Sequence, residues 1–213
     1  MNYPLLALDA APGRGSAVLL LADGKLFAAE SEGDRSHSRT LVPMLEGLLN
    51  QAGLGWPDLR MLALGIGPGS FTGLRIAAAT FAGINTPLTL PLLSISSLAV
   101  TAAQAGSDKK LWVLEDARAG EVFVGHYQSC RAITDDRCIS WSALQEEEPA
   151  SYVSILTPPL SLQGWQRLER PIARTEALAR VIRKALRDVQ PDDLPRYVQP
   201  AYLQISQAER NLK

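Results

Sequence analysis

The chain has 213 residues, 21 of them basic and 22 acidic, which suits one domain or two small lobes and leaves a net charge of −1. This balance excludes a global basic field of the kind that binds nucleic acid tightly, and it leaves open a weaker or shared RNA surface. With only two cysteines and two histidines, the sequence predicts free thiols and no zinc site. It has no apolar span of twenty residues and no basic N-terminal region typical of a signal peptide, so it predicts a cytoplasmic protein without a membrane segment.

The first thirty residues predict three strands. The run "PLLALDA" is apolar until its acid, as in a core strand, and "GSAVLLLADGKLFAAESE" contains two strands joined at Asp23-Gly24, a strong hairpin signal. Apolar residues then recur at helical spacing over residues 41–52. We expect this helix to begin near residue 40, because Pro43 is tolerated only in a first turn. The run "RMLALGIG" predicts the next buried strand.

The stretch "GIGPGSFTGLRIAAATFAGI", Gly65 to Ile84, looks like a phosphate-binding loop that leads into a helix. The dinucleotide fingerprint fails at Ser70, a P-loop needs lysine where Leu74 stands, and no nucleophile elbow fits. We interpret the stretch as a tight turn, capped by Ser70 or Thr72, that starts a helix over residues 72–84. This helix is apolar on all sides, so we expect it to be covered by the preceding helix or by a second chain.

The sequence next predicts a strand in "LTLPLLSI" and a helix in "SISSLAVTAAQAG", and these two elements precede the second half of the chain. It opens with a hairpin, "LWVLEDARAGEVFVGHYQ", and continues with strand candidates in "AITDDRCISW" and "SYVSIL". Residues 175–189 predict an amphipathic helix with a basic polar face, and we expect an extended tail after it. This order predicts an α/β fold of mixed sheets flanked by helices, with one lobe at residues 1–106 and a smaller lobe at residues 107–213.

Asp9 is the first candidate for chemistry. It follows a core strand, where an actin-type ATPase or sugar kinase places its first phosphate-loop acid, although an ordinary turn acid would look the same. Asp116 occupies a comparable place in the second half, but Arg118 stands where a phosphate loop needs a small uncharged residue, and no glycine-rich adenosine loop follows. Asp116, Arg118 and Glu121 together are typical of a local ion-pair network, and their role stays open.

Five motifs carry a resemblance to a known family: "GIGPGSFTGLRI", "SHSRTLVPML", "LALDAAPGRGSAVLL", "DARAGEVF" and "PAYL". These motifs span almost the whole chain, and in their order along the sequence they resemble the bacterial TsaB family, formerly YeaZ. The resemblance implies a two-lobed actin-like, sugar-kinase-like fold with a reduced second lobe. It also implies a non-catalytic subunit that works with TsaD and the ATPase TsaE. TsaD transfers a threonylcarbamoyl group to N6 of the adenosine next to the tRNA anticodon.

The sequence departs from the family pattern where Asp-Thr-Ser usually follows the first strand. Here Asp9 is followed by two alanines, which removes hydroxyls that a phosphate could use. The paired metal-binding histidines of TsaD have no counterpart either. We therefore expect no catalytic residue, no cofactor and no metal. A stand-alone ATP-dependent phosphotransferase of the same fold is the alternative, and a metallopeptidase is a poor third.

The resemblance implies that the first two helices bind the partner. We expect them to pack side by side, to pair with the same helices of a TsaD-like subunit, and to form a homodimer when that subunit is absent. Contact with tRNA would occur only within the complex. The residues predicted to bind the partner are His37, Leu41, Met44, Leu45, Leu48, Phe71, Leu74, Arg75, Ala77, Ala78, Phe81 and Ala82.

Overall fold

The computed structural model describes residues 4–31, 37–156, 158 and 161–204. Its first sheet has five strands in the order β3-β2-β1-β4-β5. The first three strands form an antiparallel meander, and β4 and β5 add to β1 in parallel. These strands are the ones expected from the sequence, with the bounds β1 Leu5–Asp9, β2 Ser16–Leu20, β3 Leu26–Glu30, β4 Met61–Gly65 and β5 Leu92–Ile95.

The second sheet has the order β11-β10-β6-β7-β8, and β9 pairs with β7. The expected hairpin is its centre and consists of β6 and β7. Two short strands, β8 and β9, come from the run in which one strand was expected, and β11 was not expected at all. The bounds are β6 Lys110–Arg118, β7 Glu121–Gln128, β8 Arg131–Ala132, β9 Arg137–Ser140, β10 Ser151–Val153 and β11 Gln166–Arg167.

The two N-terminal helices are α1, His37–Gln51, and α2, Phe71–Leu88. The expected start of α1 near residue 40 is wrong, because the helix begins three residues earlier and contains Pro43 at its seventh position. This proline lies on the exposed side, where the carbonyl that loses its partner can bond to water. The expected end of α2 at residue 84 is also wrong, because the helix continues four residues further, to a left-handed Thr89.

Helices and sheets alternate in layers. Helices α1 and α2 pack side by side on one face of the first sheet, as expected. Helices α3, Ser97–Gln104, and α5, Arg174–Ala185, lie in the core between the other face of this sheet and the second sheet. The short α4, Trp141–Leu144, covers the far side of the second sheet. The lobe boundary near residue 106 stays a prediction, since α5 comes from the second half of the chain but packs against β2 and β3.

Strand β6 presents alternate residues to this shared core. Leu111, Val113 and Ala117 are buried on the face toward α3 and α5, whereas Leu114 belongs to the cluster under α4. Because side chains alternate along a strand, Glu115 lies on the same face as Leu111 and Val113. An acid is therefore directed toward the layer between the two sheets.

Candidate functional site

The glycine-rich turn before α2 packs against the chain that follows β1. The Ser70 amide donates to the Ala11 carbonyl at 2.7 Å, and the Ser70 hydroxyl caps α2 by accepting from the Gly73 amide. A Cβ atom at Gly65 would collide with the Asp9 side chain, and one at Gly73 would collide with the Ala10 carbonyl. The glycines thus allow close approach between backbone segments, which agrees with the structural interpretation of this stretch.

Asp9 is fully buried and pairs with Arg174, the first residue of α5. The Arg174 guanidinium donates from Nη2 and Nε to Asp9 Oδ2 at 2.5 and 3.1 Å. The other carboxylate oxygen accepts from the Ser97 hydroxyl at 2.8 Å and from the Ala11 amide at 3.2 Å. Each oxygen of the Asp9 carboxylate therefore accepts two hydrogen bonds from within the chain, which uses its acceptor capacity.

The remaining donors of Arg174 bond to α3. Its Nη1 donates to Thr101 Oγ1 and to Gln104 Oε1 at 3.1 and 3.2 Å, and its Nη2 also donates to the Ser97 carbonyl. The network joins β1, α3 and α5 around one buried ion pair. The sequence analysis selected Asp9 but missed Arg174, because the only local pattern near Arg174 is the amphipathic repeat of α5.

A cavity of about 780 Å³ lies beside this network, between the start of α2 and the second sheet. Ser70, Phe71 and Thr72 line one wall, and α3 contributes Leu98 and Thr101. The other lining residues include Ala11, Pro12, Gly13, Leu74, Ser97, Glu115, Asp116, Ala117, Arg118, Phe123, Ile155, Leu156, Arg174 and the tail residues Ala201–Gln204. A cavity of this size, with both apolar and polar walls, is typical of a small-molecule site.

Glu115 is the cavity group whose ionisation is most altered. Burial raises its pKa to about 7, against the opposing effects of the Ile155 amide, Arg174 and Arg170. The Ile155 amide donates to Glu115 Oε1 at 2.9 Å. The sequence signal for this group was the acid that interrupts an otherwise apolar strand in "LWVLEDA".

The charged turn Asp116–Glu121 forms the rim of the cavity near β6 and β7. The Asp116 carboxylate accepts from the Arg118 amide at 3.0 Å and lies 4.0 Å from the Arg118 guanidinium, whose side chain is 84% exposed. The tail reaches this turn, where the Gln204 amide donates to the Ala117 carbonyl and to Glu121 Oε2. The turn is therefore a local polar network, as its residue types predicted.

Half of the residues predicted to bind a partner lie inside the chain. They are buried beneath α1 and α2 against the first sheet, so they hold the two helices in place and offer no contact surface while this packing persists. They are Leu41, Leu45, Leu48, Leu74, Ala77 and Phe81. For His37, the structure describes the backbone at the start of α1, but the side chain lies outside the described residues.

The other predicted residues are at least partly exposed. Met44, Ala78 and Ala82 are half-buried at the helix pair, and Phe71 and Arg75 are exposed near the start of α2. They are accompanied by exposed small residues that the sequence analysis did not select, Ala79 and Gly83. A Cβ atom at Gly83 would meet nothing within 4 Å, so this position of α2 faces open space. The prediction that this face binds a partner stays a prediction.

The described part of the chain contains no group of three or more His, Cys, Asp or Glu side chains placed to hold a metal ion. Among these residues no helix is both long and apolar enough to cross a membrane.

Comparison with known proteins gives consistent matches. A family model described as "TsaD: tRNA N6-adenosine threonylcarbamoyltransferase" matches residues 31–143, just over half of the chain. The protein from Escherichia coli named "tRNA threonylcarbamoyladenosine biosynthesis protein TsaB" is 35% identical over 128 residues, which are 58% of this chain and 54% of that protein. Its namesake from Bacillus subtilis is 30% identical over 58% of this chain and 55% of its own length. The chain therefore matches about half the length of these curated relatives.

Solved structures match over a larger part of the chain. The structure described as YeaZ from Pseudomonas aeruginosa has a TM-score of 0.70 and 26% identity, and the match covers 92% of this chain and all of that one. A second crystal structure, of an uncharacterized protein with similarity to peptidase YeaZ from the same organism, has a TM-score of 0.73 and 25% identity over 95% of this chain. The fold is thus the α/β fold with two mixed sheets that the resemblance implied.

Proposed function

The chain belongs to the TsaD family of tRNA N6-adenosine threonylcarbamoyltransferase proteins, within its TsaB (YeaZ) group, and on this premise we propose that it is an accessory subunit in the formation of threonylcarbamoyladenosine in tRNA. The observation that carries the proposal is the agreement of two kinds of likeness. Just over half of the chain matches proteins named for this pathway, and the fold matches YeaZ over 92% of the chain. Modification of the adenosine next to the tRNA anticodon would take place in the cytoplasm.

We further propose that the chain itself performs no chemistry. The argument comes from Asp9, which is the acid that a phosphotransferase of this fold would use. Its carboxylate is fully buried and forms bonds with Arg174, Ser97 and the Ala11 amide. A magnesium-bound phosphate would have to replace a guanidinium that already neutralises the acid. This arrangement argues against the stand-alone phosphotransferase, and no observation favours a metallopeptidase.

We propose that the partner is a TsaD-like catalytic subunit, bound through the outward face of α1 and α2. The support lies in the small exposed residues on that face, Ala79 and Gly83, beside half-buried Ala78 and Ala82. Small residues allow two helix pairs to approach closely, and the leucines beneath them hold the face rigid. A TsaE-like ATPase joins the pair, and a second copy of the chain takes the partner's place when the chain is alone.

Pairing through this face is tested by introducing a charge. Ala79→Glu and Ala78→Glu each place a carboxylate in the proposed contact, where it is costly if it stays buried and unpaired. The matched control is Ala173→Glu, since Ala173 is exposed at the start of α5, which packs on the opposite face of the first sheet. We expect both α2 variants to lose co-purification with a TsaD-like subunit, while the control keeps it.

The result depends on folded variants, so circular dichroism accompanies each measurement. Ala77→Glu serves as the opposite control, because Ala77 is fully buried and the variant should lose its fold. If both α2 variants stay folded and still bind the partner as wild type does, the contact lies on another face of the molecule.

A further inference from the structure

One corner of the molecule is basic, although the chain as a whole carries a net charge of −1. This basic corner consists of the second half of α5 with the residues just after it, the chain around the start of β6, and the turn between β7 and β8. Its seven cations are Lys109, Lys110, Arg131, Arg180, Arg183, Lys184 and Arg187. Three acids bond within it, Asp108, Glu176 and Asp188, so its net charge is +4. The balance stays positive, at +2, when Asp192 and Asp193 of the following segment are counted as well.

Hydrogen bonds and an ion pair join the elements of the basic corner. Arg131 Nη2 on β8 lies 2.6 Å from Asp188 Oδ2, just after α5. Lys184 Nζ on α5 donates to the Ser129 carbonyl in the turn after β7. The Ser129 hydroxyl in turn donates to Asp108 Oδ1 at 2.8 Å, just before β6. The basic side chains of α5 and of the second sheet therefore meet at one surface.

Helix α5 contributes its cations along one stripe. Spacings of three and four residues place four of them within an arc of about 100° around the helix axis: Arg180, Arg183, Lys184 and Arg187. A helix C-terminus attracts cations, which accounts for part of this stripe. The two lysines at the start of β6 and Arg131 belong to other elements, so the helix dipole does not account for them.

Four of the seven cations have no carboxylate partner in the described part of the chain. They are Lys109, Lys110, Arg183 and Arg187, and all four are exposed. Within that part, their one side-chain hydrogen bond is long, from Arg183 Nη2 to the Gly24 carbonyl at 3.4 Å. Like charges held close together repel one another, and an anion from outside relieves this repulsion.

Stacked aromatic rings adjoin the basic corner on the outer face of the second sheet. In the register of β6, β7 and β8, Lys110 lies opposite Gln128, and Gln128 lies opposite Arg131. Two residues further along the strands, on the same face, the rings of Trp112 and His126 are stacked with centroids 5.1 Å apart and planes 13° apart. Both residues are half-buried, so part of the pair is exposed. The face thus places cations beside a partly exposed pair of rings.

We propose that the basic corner binds the phosphate backbone of single-stranded RNA, and that the Trp112–His126 pair stacks against an unpaired base beside it. Clustered cations attract phosphates whatever the sequence, and neighbouring rings supply the stacking surface typical of single-stranded RNA sites. An acidic protein or a lipid headgroup would make no use of these rings. The inference rests on the proposed function, in which the substrate is a tRNA with unpaired loops.

RNA bound at the basic corner leaves the proposed partner face free. Helices α1 and α2 cover one face of the first sheet, whereas α5 and the second sheet lie on the other side of it. Contacts from four unpartnered cations are weak alone, in keeping with the net charge of the chain. In a complex they add to the RNA contacts of the partner, because the second contact becomes intramolecular.

Fluorescence anisotropy of the isolated full chain with a labelled tRNA transcript tests the proposal. We expect weak binding at about 50 mM salt, and the logarithm of the affinity should fall linearly with that of the salt concentration. The double variant Lys110→Gln with Arg187→Gln removes two unpartnered cations, so it should weaken binding at least about tenfold and reduce the salt slope by about 1.4–1.8. The matched control is Arg14→Gln with Arg118→Gln, which removes the same charge from exposed residues beside the cavity and should bind as wild type.

The role of the rings is tested with two short RNAs of one length, a single strand and a duplex. His126→Leu should weaken binding of the single strand several-fold and leave that of the duplex unchanged, because only unpaired bases can stack on the pair. Equal weakening of both RNAs, or of neither, would overturn the stacking contact.

Polyglutamate and vesicles of phosphatidylglycerol represent an acidic protein and a membrane. If either competes with the labelled tRNA better than single-stranded RNA of equal charge does, the assignment to RNA is overturned. The proposal also fails if wild type shows no binding at low salt, if the corner variant, folded by circular dichroism, binds as wild type does, or if the control loses as much affinity. None of these outcomes decides the proposed function, which is judged by threonylcarbamoyl transfer with a TsaD-like subunit.

Discussion

Replacement of Arg174 by methionine should destabilise the protein more than any surface substitution. Methionine keeps roughly the aliphatic stem of the side chain but removes the guanidinium, so Asp9 is left fully buried without its counter-ion. Removal of one partner of a buried ion pair costs about 3–5 kcal/mol. For a chain of this size, that loss corresponds to a fall of about 6–20 °C in Tm.

The measurement is urea unfolding followed by circular dichroism, together with a thermal scan. Arg183→Met on the same helix is the control, because Arg183 is exposed and its donor bond to the Gly24 carbonyl is long, at 3.4 Å. We expect that control to stay within about 0.5 kcal/mol of wild type. The double variant Asp9→Asn with Arg174→Met should regain part of the loss, since no buried charge remains. A loss below about 1 kcal/mol in Arg174→Met, or no recovery in the double variant, would refute the reasoning.

Three further predictions concern α2, Glu115 and RNA. Gly73→Ala should destabilise the protein, because its Cβ would meet the Ala10 carbonyl. Gly83→Ala should stabilise the protein by about 0.5–1 kcal/mol, because its Cβ meets nothing and alanine favours a helix over glycine. Urea unfolding of both variants measures the difference. The pKa of Glu115 rises from 4.5 to about 7 on folding, so stability that is present below pH 4.5 is lost as the pH rises through 7. The free energy of unfolding of Glu115→Gln should therefore exceed that of wild type at pH 8 by at most about 3 kcal/mol and should equal it near pH 4. Unfolding measured at both pH values checks this. The isolated chain, with a net charge of −1, should not bind tRNA tightly at physiological salt, and nanomolar salt-sensitive binding in a filter assay would contradict this.

The strands of the first sheet were predictable because their signals are local. An apolar run that ends at Asp9 and a hairpin turn at Asp23-Gly24 fix three strands, and their pairing follows from the short connections. The helix bounds were less predictable. Pro43 usually marks a first turn, but here it lies inside α1 on the exposed side, where tertiary packing of the neighbouring leucines outweighs one missing hydrogen bond.

The candidate site depended on contacts that no local pattern reveals. Asp9 could be selected from its place after a core strand, but Arg174 is 165 positions away and reaches it only because α5 packs against the first sheet. Glu115 lay within reach of sequence reasoning, since alternation along β6 puts it on the face of Leu111 and Val113. The predicted partner residues followed from the resemblance, which points to the first two helices. Six of the twelve are buried against the first sheet, because an apolar residue on a helix can pack inside its own chain as well as against another chain.

Threonylcarbamoyl transfer in a reconstituted system tests the central proposal most directly. The assay contains unmodified tRNA, a threonylcarbamoyl-adenylate donor, a TsaE-like ATPase and a TsaD-like subunit, and it measures threonylcarbamoyladenosine formed with and without this chain. We predict product only when the chain and the TsaD-like subunit are both present, no product with Ala79→Glu, and full product with the control Ala173→Glu. Product formed by the chain without the TsaD-like subunit, or equal product whether or not the chain is added, would contradict the account.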